Sequence, residues 1–281
     1  MEEFTMKVCY SDLVLITNEI VENVEKLIQH GADVVELLMD GDKWDEMEAL
    51  FPVLAEQLCA LDVAYTVHPP AWDINLTSEN KAIREASFLE YKKAIEFAGK
   101  IDAQHVVIHP GFCFAPQFSK ETGRQRAKMY IQQLCEIAKP LHVTLAIENV
   151  GYNGTSLFTQ KEYEVFLEGV DGNAKYLIDV GHANLNGWDI ASAIYHVKDR
   201  LAGLHLHDND GKSDQHLPVG EGTIDWSSIF DVLCTEQIDC ELVLEYAPGT
   251  DLNMLQKGKE RLVNELSNNE KVGHVSEDRA F

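Results

Sequence analysis

Residues 104–148 read QHVVIHPGFCFAPQFSKETGRQRAKMYIQQLCEIAKPLHVTLAIE and decide the fold. The run Gln104 to His109 is apolar apart from its ends, as a strand buried on both faces should be. A helical pattern follows from about Glu121 to Ala138 and stops before Pro140. His142 to Glu148 is again a buried strand. This is a strand–helix–strand unit whose two strands must be parallel. Working outward, the same alternation fills the chain. Strands are read at Met6 to Tyr10, Asp33 to Met39, Asp62 to Val67, Lys175 to Asp179, Ala202 to Asp208 and Cys240 to Glu245. Helices are read near Thr17 to His30, Trp44 to Ala60, Ser78 to Ala98, Thr159 to Leu167, Ile190 to Val197, Asp225 to Leu233 and Leu252 to Leu266, with Gly31 and Gly99 as stops. Eight strand–helix units predict an α/β fold, a single (β/α)8 TIM barrel over residues 1–266. A doubly wound open sheet is the alternative. Residues 267–281 (SNNEKVGHVSEDRAF) are polar and aperiodic and read as a disordered tail.

The composition excludes several classes. The 23 basic and 47 acidic residues leave a net charge of −24, which repels nucleic acid and anionic membranes. No apolar run approaches the ~20 residues that cross a bilayer. Six scattered cysteines without a C-x-x-C pair, behind an acidic N-terminus, read as reduced thiols of a cytoplasmic protein. A small-molecule or metal-dependent function is expected.

In such a barrel the site lies at the C-terminal ends of the strands. Those ends carry His68, His109, Glu148, Asp179 with His182, His205 with His207 and Asp208, and Glu245. The loop after the seventh strand adds Asp210, Asp214 and His216. Carboxylates packed this closely repel one another unless a cation joins them. Mixed imidazole and carboxylate donors suit Zn, Mn, Co or Fe. A metal site at the strand ends follows. In D-V-G-H (179–182), Gly181 is read as the bend that lets Asp179 and His182 face one centre. His205 and His207 share a strand face, and either could be the inner ligand.

Other residues have plainer readings. His105 opens its strand near the opposite barrel end and reads as structural. His30 precedes a helix-ending glycine and reads as a partner of the helix dipole. The G-E-G at 220–222 lacks the Lys and Ser/Thr of a phosphate loop and reads as a turn. Lys212 is the cation nearest the site. Asn149, Asn153 and Asn184 could bind hydroxyls, and Trp72 could stack on a ring.

The segments V-V-I-H-P-G (106–111), A-I-E-N-V (146–150), I-D-V-G-H (178–182), H-L-H-D-N-D-G-K-S-D-Q-H-L-P-V-G-E-G-T-I-D-W (205–226) and V-L-E-Y (243–246) resemble the xylose isomerase-like (β/α)8 superfamily. That group contains sugar and sugar-phosphate isomerases and epimerases together with endonuclease IV. The resemblance to the mononuclear isomerases implies a divalent ion (Mn, Co, Fe or Zn) on Glu148, Asp179, His205 and Glu245. It further implies Glu148 and Glu245 as acid and base across a metal-stabilised enediolate. His68, His109, His182, His216, Trp72 and Lys212 would then bind a sugar, sugar-phosphate or polyol substrate. Endonuclease IV uses nine ligands for three zinc ions. The matches here are those four with His68, His109, His182, Asp214 and His216, which implies a zinc phosphodiesterase acting at abasic DNA as the alternative. A keto-sugar dehydratase or lyase on the same metal and carboxylates is a second alternative. Against the nuclease, M-D-G-D-K-W-D-E (39–46) is acidic where that enzyme carries a basic loop, and Glu36 is similar to the sugar-isomerase branch. Metal-dependent isomerisation or epimerisation is therefore the expected activity, with nucleic acid disfavoured, no membrane partner, and an oligomer compatible with the reading.

Overall fold

A computed structural model of the chain describes residues 7–277, with side chains through residue 267. Eight parallel strands close on themselves: β1 Val8–Ser11, β2 Val34–Leu38, β3 Ala64–His68, β4 His105–Ile108, β5 Thr144–Glu148, β6 Ala174–Asp179, β7 Leu201–Leu206 and β8 Glu241–Leu244. Each strand pairs with its sequence neighbours, and β1 pairs with β8. This is the expected TIM barrel and not an open sheet.

The side-chain period of two divides each strand between two environments. Val8, Tyr10, Val35, Leu37, Val106 and Ile108 pack outward into one large core with the helices. The alternate residues form two small clusters, Cys9–Val34–Val243 and Val107–Ala146–Leu177, that fill the barrel. Above them the inward positions turn polar, with Glu36, Thr66, His68, Glu148, Asp179 and His205 all buried. The polar layer lies at the C-terminal ends, so the fold itself places the site.

Three elements differ from the sequence expectation. The helix read as Trp44 to Ala60 is two, Asp42–Met47 and Phe51–Cys59, joined by a 3-10 turn at Glu48–Leu50. Pro52 stands in the first turn of the second helix, where its missing N–H costs nothing. A short helix Val180–Leu185 follows β6 directly. The last helix runs Leu252–Glu277, past Leu266 and through most of the segment expected as a tail; residues 278–281 lie outside the described ones. None of the six cysteines is in a disulfide. Among the described residues no helix is long and apolar enough to cross a membrane.

Candidate metal centre at the barrel mouth

The inward residues of five strand ends meet around Glu148. One of its oxygens, Oε2, lies 2.9 Å from His109 Nε2 and 3.7 Å from His68 Nε2. The other, Oε1, lies 3.5 Å from His182 Nδ1 and 3.6 Å from His205 Nδ1. His205 Nδ1 is also 3.3 Å from Glu245 Oε2. Asp179 caps the helix Val180–Leu185 by accepting from the His182 N–H at 2.6 Å, so the D-V-G-H motif is a first helical turn. That turn, and not a left-handed bend, brings the His182 imidazole within 3.4 Å of Asp179 Oδ2. Asp214 Oδ2 bridges the Nε2 atoms of His182 (3.2 Å) and His216 (3.4 Å).

Gly181 has a reason other than the expected one. Its φ is not left-handed. A Cβ at this position would stand 2.0 Å from His207 Cε1, so the glycine leaves room for that ring. His207 donates through Nε2 to Asp179 (2.9 Å to Oδ2) and stacks on His216, with centroids 3.8 Å apart. The two histidines of β7 and its end thus divide the work. His205 stands between Glu148 and Glu245, and His207 stands against Asp179.

The donor set fits a divalent cation. Buried atoms without a hydrogen-bond partner include Glu148 Oε2, Asp214 Oδ1 and the Nδ1 atoms of His182, His205 and His207. Donor atoms of His68, His109 and Glu148 lie within 4.8 Å of one another, as do those of Glu148, Asp179 and His182, and those of His207, Asp214 and His216. Unpartnered imidazole and carboxylate donors at this density fit a divalent metal ion. The electrostatics agree. Burial opposes charge on Glu148, yet His109 and His205 hold its carboxyl well below the usual range. Burial likewise opposes charge on His205, but Glu245, Glu36 and Glu148 hold it well above the ordinary imidazole value. His68 is held up at about 9 against burial by Glu148 and Glu36, and His216 at about 9 by Asp214. His109 goes down, because burial outweighs Glu148. The carboxylates draw protons onto their neighbours where a cation would otherwise balance them.

The family described as "Xylose isomerase-like TIM barrel" matches residues 24–264. The chain belongs to this family. Among relatives of this xylose isomerase-like barrel, an uncharacterized protein of Methanocaldococcus jannaschii is 28% identical over 218 residues, 78% of this chain and 83% of its own. A probable endonuclease 4 of Thermoplasma volcanium is 27% identical over 177 residues, 58% of this chain and 60% of its own. An L-ribulose-5-phosphate 3-epimerase of Escherichia coli is 26% identical over 219 residues, 72% of this chain and 73% of its own. The structure of a D-tagatose 3-epimerase-like protein superposes with a TM-score of 0.82 at 24% identity, covering 95% of this chain and 99% of that one. That of an IOLI protein with a bound zinc atom superposes with a TM-score of 0.78 at 19% identity, covering 94% and 99%. At these identities the superpositions show the shared fold.

Within this barrel the four expected ligands and the five further ones of the multinuclear reading come together, while Trp72 and Lys212, expected to bind substrate, make no hydrogen bond or ion pair to any of them. Trp72 is 62% exposed, and Lys212 sits exposed on its loop, where its N–H donates to Asp210. Asn149 is not free for a hydroxyl: it accepts from Asp179 N and donates to Asp179 O, which fixes the end of β6. Asn184 is taken up by Asn209 and Thr223. His105 is buried at the start of β4, where burial pushes it down to about 4 and keeps it neutral. Asp208, quoted but given no role from the sequence, is fully buried. It accepts from the N–H groups of Asn209, Gly220 and Ile224 and from Trp226 Nε1 at 2.7 Å. It folds the loop that delivers Asp214 and His216. His216 itself holds a left-handed φ of 46°, locked by Ala247 N–H on its carbonyl. Phe112 and Phe114 were also missed. They stack at 5.5 Å beside His109, and Phe114 is 70% exposed.

Proposed function

We propose that this protein is a metal-dependent isomerase or epimerase acting on a sugar, sugar phosphate or related polyol. The observation that carries the reading is the pair of buried carboxylates, Glu148 and Glu245, flanking one imidazole nitrogen of His205 at 3.6 and 3.3 Å. Both are held below the usual carboxylate range, Glu148 by His109 and His205 and Glu245 by His205, so both start as bases. A divalent ion on Glu148, Asp179, His205 and Glu245 would supply Lewis acidity to a carbonyl and its neighbouring hydroxyl. One glutamate then takes the proton from the carbon beside the carbonyl; the other, ionised at the start, passes a proton taken from solvent to the enediolate carbon, and the first returns its proton to solvent. In this reading His182 and His109, at the same mouth, hold substrate hydroxyls. Phe112 and Phe114 offer a stacking wall for a ring. The epimerase among the relatives supports the same class.

Metal-loaded protein is expected to wash solvent deuterium into at least one member of a panel of ketoses, ketose phosphates and inososes, read by NMR. Glu148→Gln and Glu245→Gln should each abolish it. Absence of exchange across the panel would overturn the proposal.

The convergence of all nine ligands favours one second reading, a zinc phosphodiesterase at abasic DNA. Charge opposes it. After β2 the single cation, Lys43, is already paired with Glu19 and Glu46, which leaves an acidic rim facing any phosphate backbone. Efficient nicking of an abasic duplex, lost in both glutamine variants, would reverse the order.

A further inference from the structure

Glu36 stands outside the expected ligand set, although its donor atom lies within 4.8 Å of those of His205 and Glu245. It lies mid-strand on β2, level with Ser11 of β1 and Thr66 of β3, and it is fully buried. Oε2 faces His205 Nε2 at 3.3 Å and Thr66 Oγ1 at 3.5 Å. Oε1 has no partner. A carboxylate buried with so few partners is less favourable than an apolar side chain of that size. Its presence therefore calls for a role other than stability.

His205 supplies one. The imidazole is itself fully buried, with Nδ1 turned up to Glu148 and Glu245 and Nε2 turned down to Glu36. Among the described residues Nε2 has no other hydrogen-bond or ion-pair partner. A neutral imidazole has one N–H and one lone pair, and the hydrogen bond at one nitrogen decides which is which. With Glu36 below, the N–H goes to Nε2 and the lone pair to Nδ1, the nitrogen that faces the other ligands.

We infer that Glu36 is a positioning residue: it accepts the Nε2 proton of His205 from inside the barrel and so orients Nδ1 as a metal donor. The inference rests on the metal reading of the site. It extends that reading downward, from the mouth to a carboxylate on the inner side of His205. Such supports under a ligating histidine are worth about 10- to 100-fold in metal affinity.

The test compares the full chain with Glu36→Leu and Glu36→Gln. Cobalt(II) affinity is measured by chelator competition, the visible cobalt spectrum is recorded, and the metal-free proteins are melted. Glu36→Leu is expected to bind cobalt ~10- to 100-fold more weakly than the parent, read at a temperature where the metal-free variant is fully folded. Glu36→Gln, which keeps an acceptor oxygen without the charge, should fall between and keeps the test alive if the leucine variant does not fold. The spectral shape should persist, because the coordinating atoms are unchanged. Three results would overturn the inference: affinities within threefold of the parent, an affinity loss that only tracks a fall in melting temperature, or a changed spectrum marking Glu36 as a direct ligand. Failure of the parent chain itself to bind cobalt would instead remove the metal reading on which the inference stands.

Discussion

Replacing Gly181 with alanine adds one methyl group and tests the packing of the whole centre. The new Cβ would lie 2.0 Å from His207 Cε1, 2.6 Å from Nδ1 and 2.7 Å from Nε2, where ordinary contact begins at 3.4 Å. The ring would have to retreat by 3.4 − 2.0 = 1.4 Å. It has nowhere to go. It is fully buried, stacked on His216 at 3.8 Å and bonded to Asp179 at 2.9 Å. Overpacking of this kind costs about 1–3 kcal/mol. Losing the bond to a carboxylate costs about 1.5–3 kcal/mol more. Alanine in a helical turn returns about 1 kcal/mol. A net loss of roughly 2–5 kcal/mol remains, or about 4–20 °C of melting temperature at ~2–4 °C per kcal/mol. The assay is thermal melting of Gly181→Ala, His207→Ala and the double variant. In the double variant the methyl has space, so it should be no less stable than His207→Ala alone, with a coupling of at least about 2 kcal/mol. A Gly181→Ala protein melting within 1 °C of the parent, or one equally destabilised without the His207 ring, would refute the reasoning.

Asp208→Asn should destabilise the chain by about 2–4 kcal/mol, because an amide turns donors toward the N–H groups it must accept. Limited proteolysis should then cut within residues 209–225, and an uncut, fully stable variant would count against that role. Asp12 is buried and pushed up to about 7 by burial, despite the Leu38 N–H. Between pH ~4 and ~7 the folded state holds a proton that the unfolded state has released. Stability from this group therefore falls as pH rises through that window, by about 1.4 kcal/mol per unit. Denaturant titrations should show Asp12→Asn gaining on the parent from pH 5 to pH 8, and a constant difference would sink the assignment. A divalent ion at ~100 times its Kd should stabilise the protein by about 2.7 kcal/mol. Because His68 and His216 hold protons up to about 9, metal uptake should release protons and strengthen from pH 7 to pH 9. Calorimetry in two buffers of different ionisation enthalpy checks this, with equal heats as the contrary result.

What could be read from the chain alone was what is periodic or local. Apolar runs such as Val106–Ile108 and Leu145–Ile147 carry their own strand signal, since a strand buried on both faces is mostly apolar away from its site end. Counting eight such units is enough to close a barrel. Closure in turn assigns the chemistry to the strand ends, which makes His68, His109, Glu148, Asp179, His205 and Glu245 site candidates from the sequence alone. Pro52 marks the helix break in the sequence too, but the amphipathic pattern continues across it and masks the break. Other features depend on groups far apart in sequence. Gly181 looks like a bend until His207 arrives from the next strand to occupy the space a Cβ would fill. Asn149 looks free until the backbone of Asp179, thirty residues on, takes both ends of its amide. His205 and His207 are indistinguishable by spacing, because a period of two puts both on one face. Only the closed barrel separates them, setting Glu36 beneath the first and Asp179 beside the second. Sequence determines which residues line the mouth, through rules that act over a few positions. Tertiary structure decides what each one does there, because hydrogen bonds and excluded volume act over a few ångströms whatever the separation along the chain.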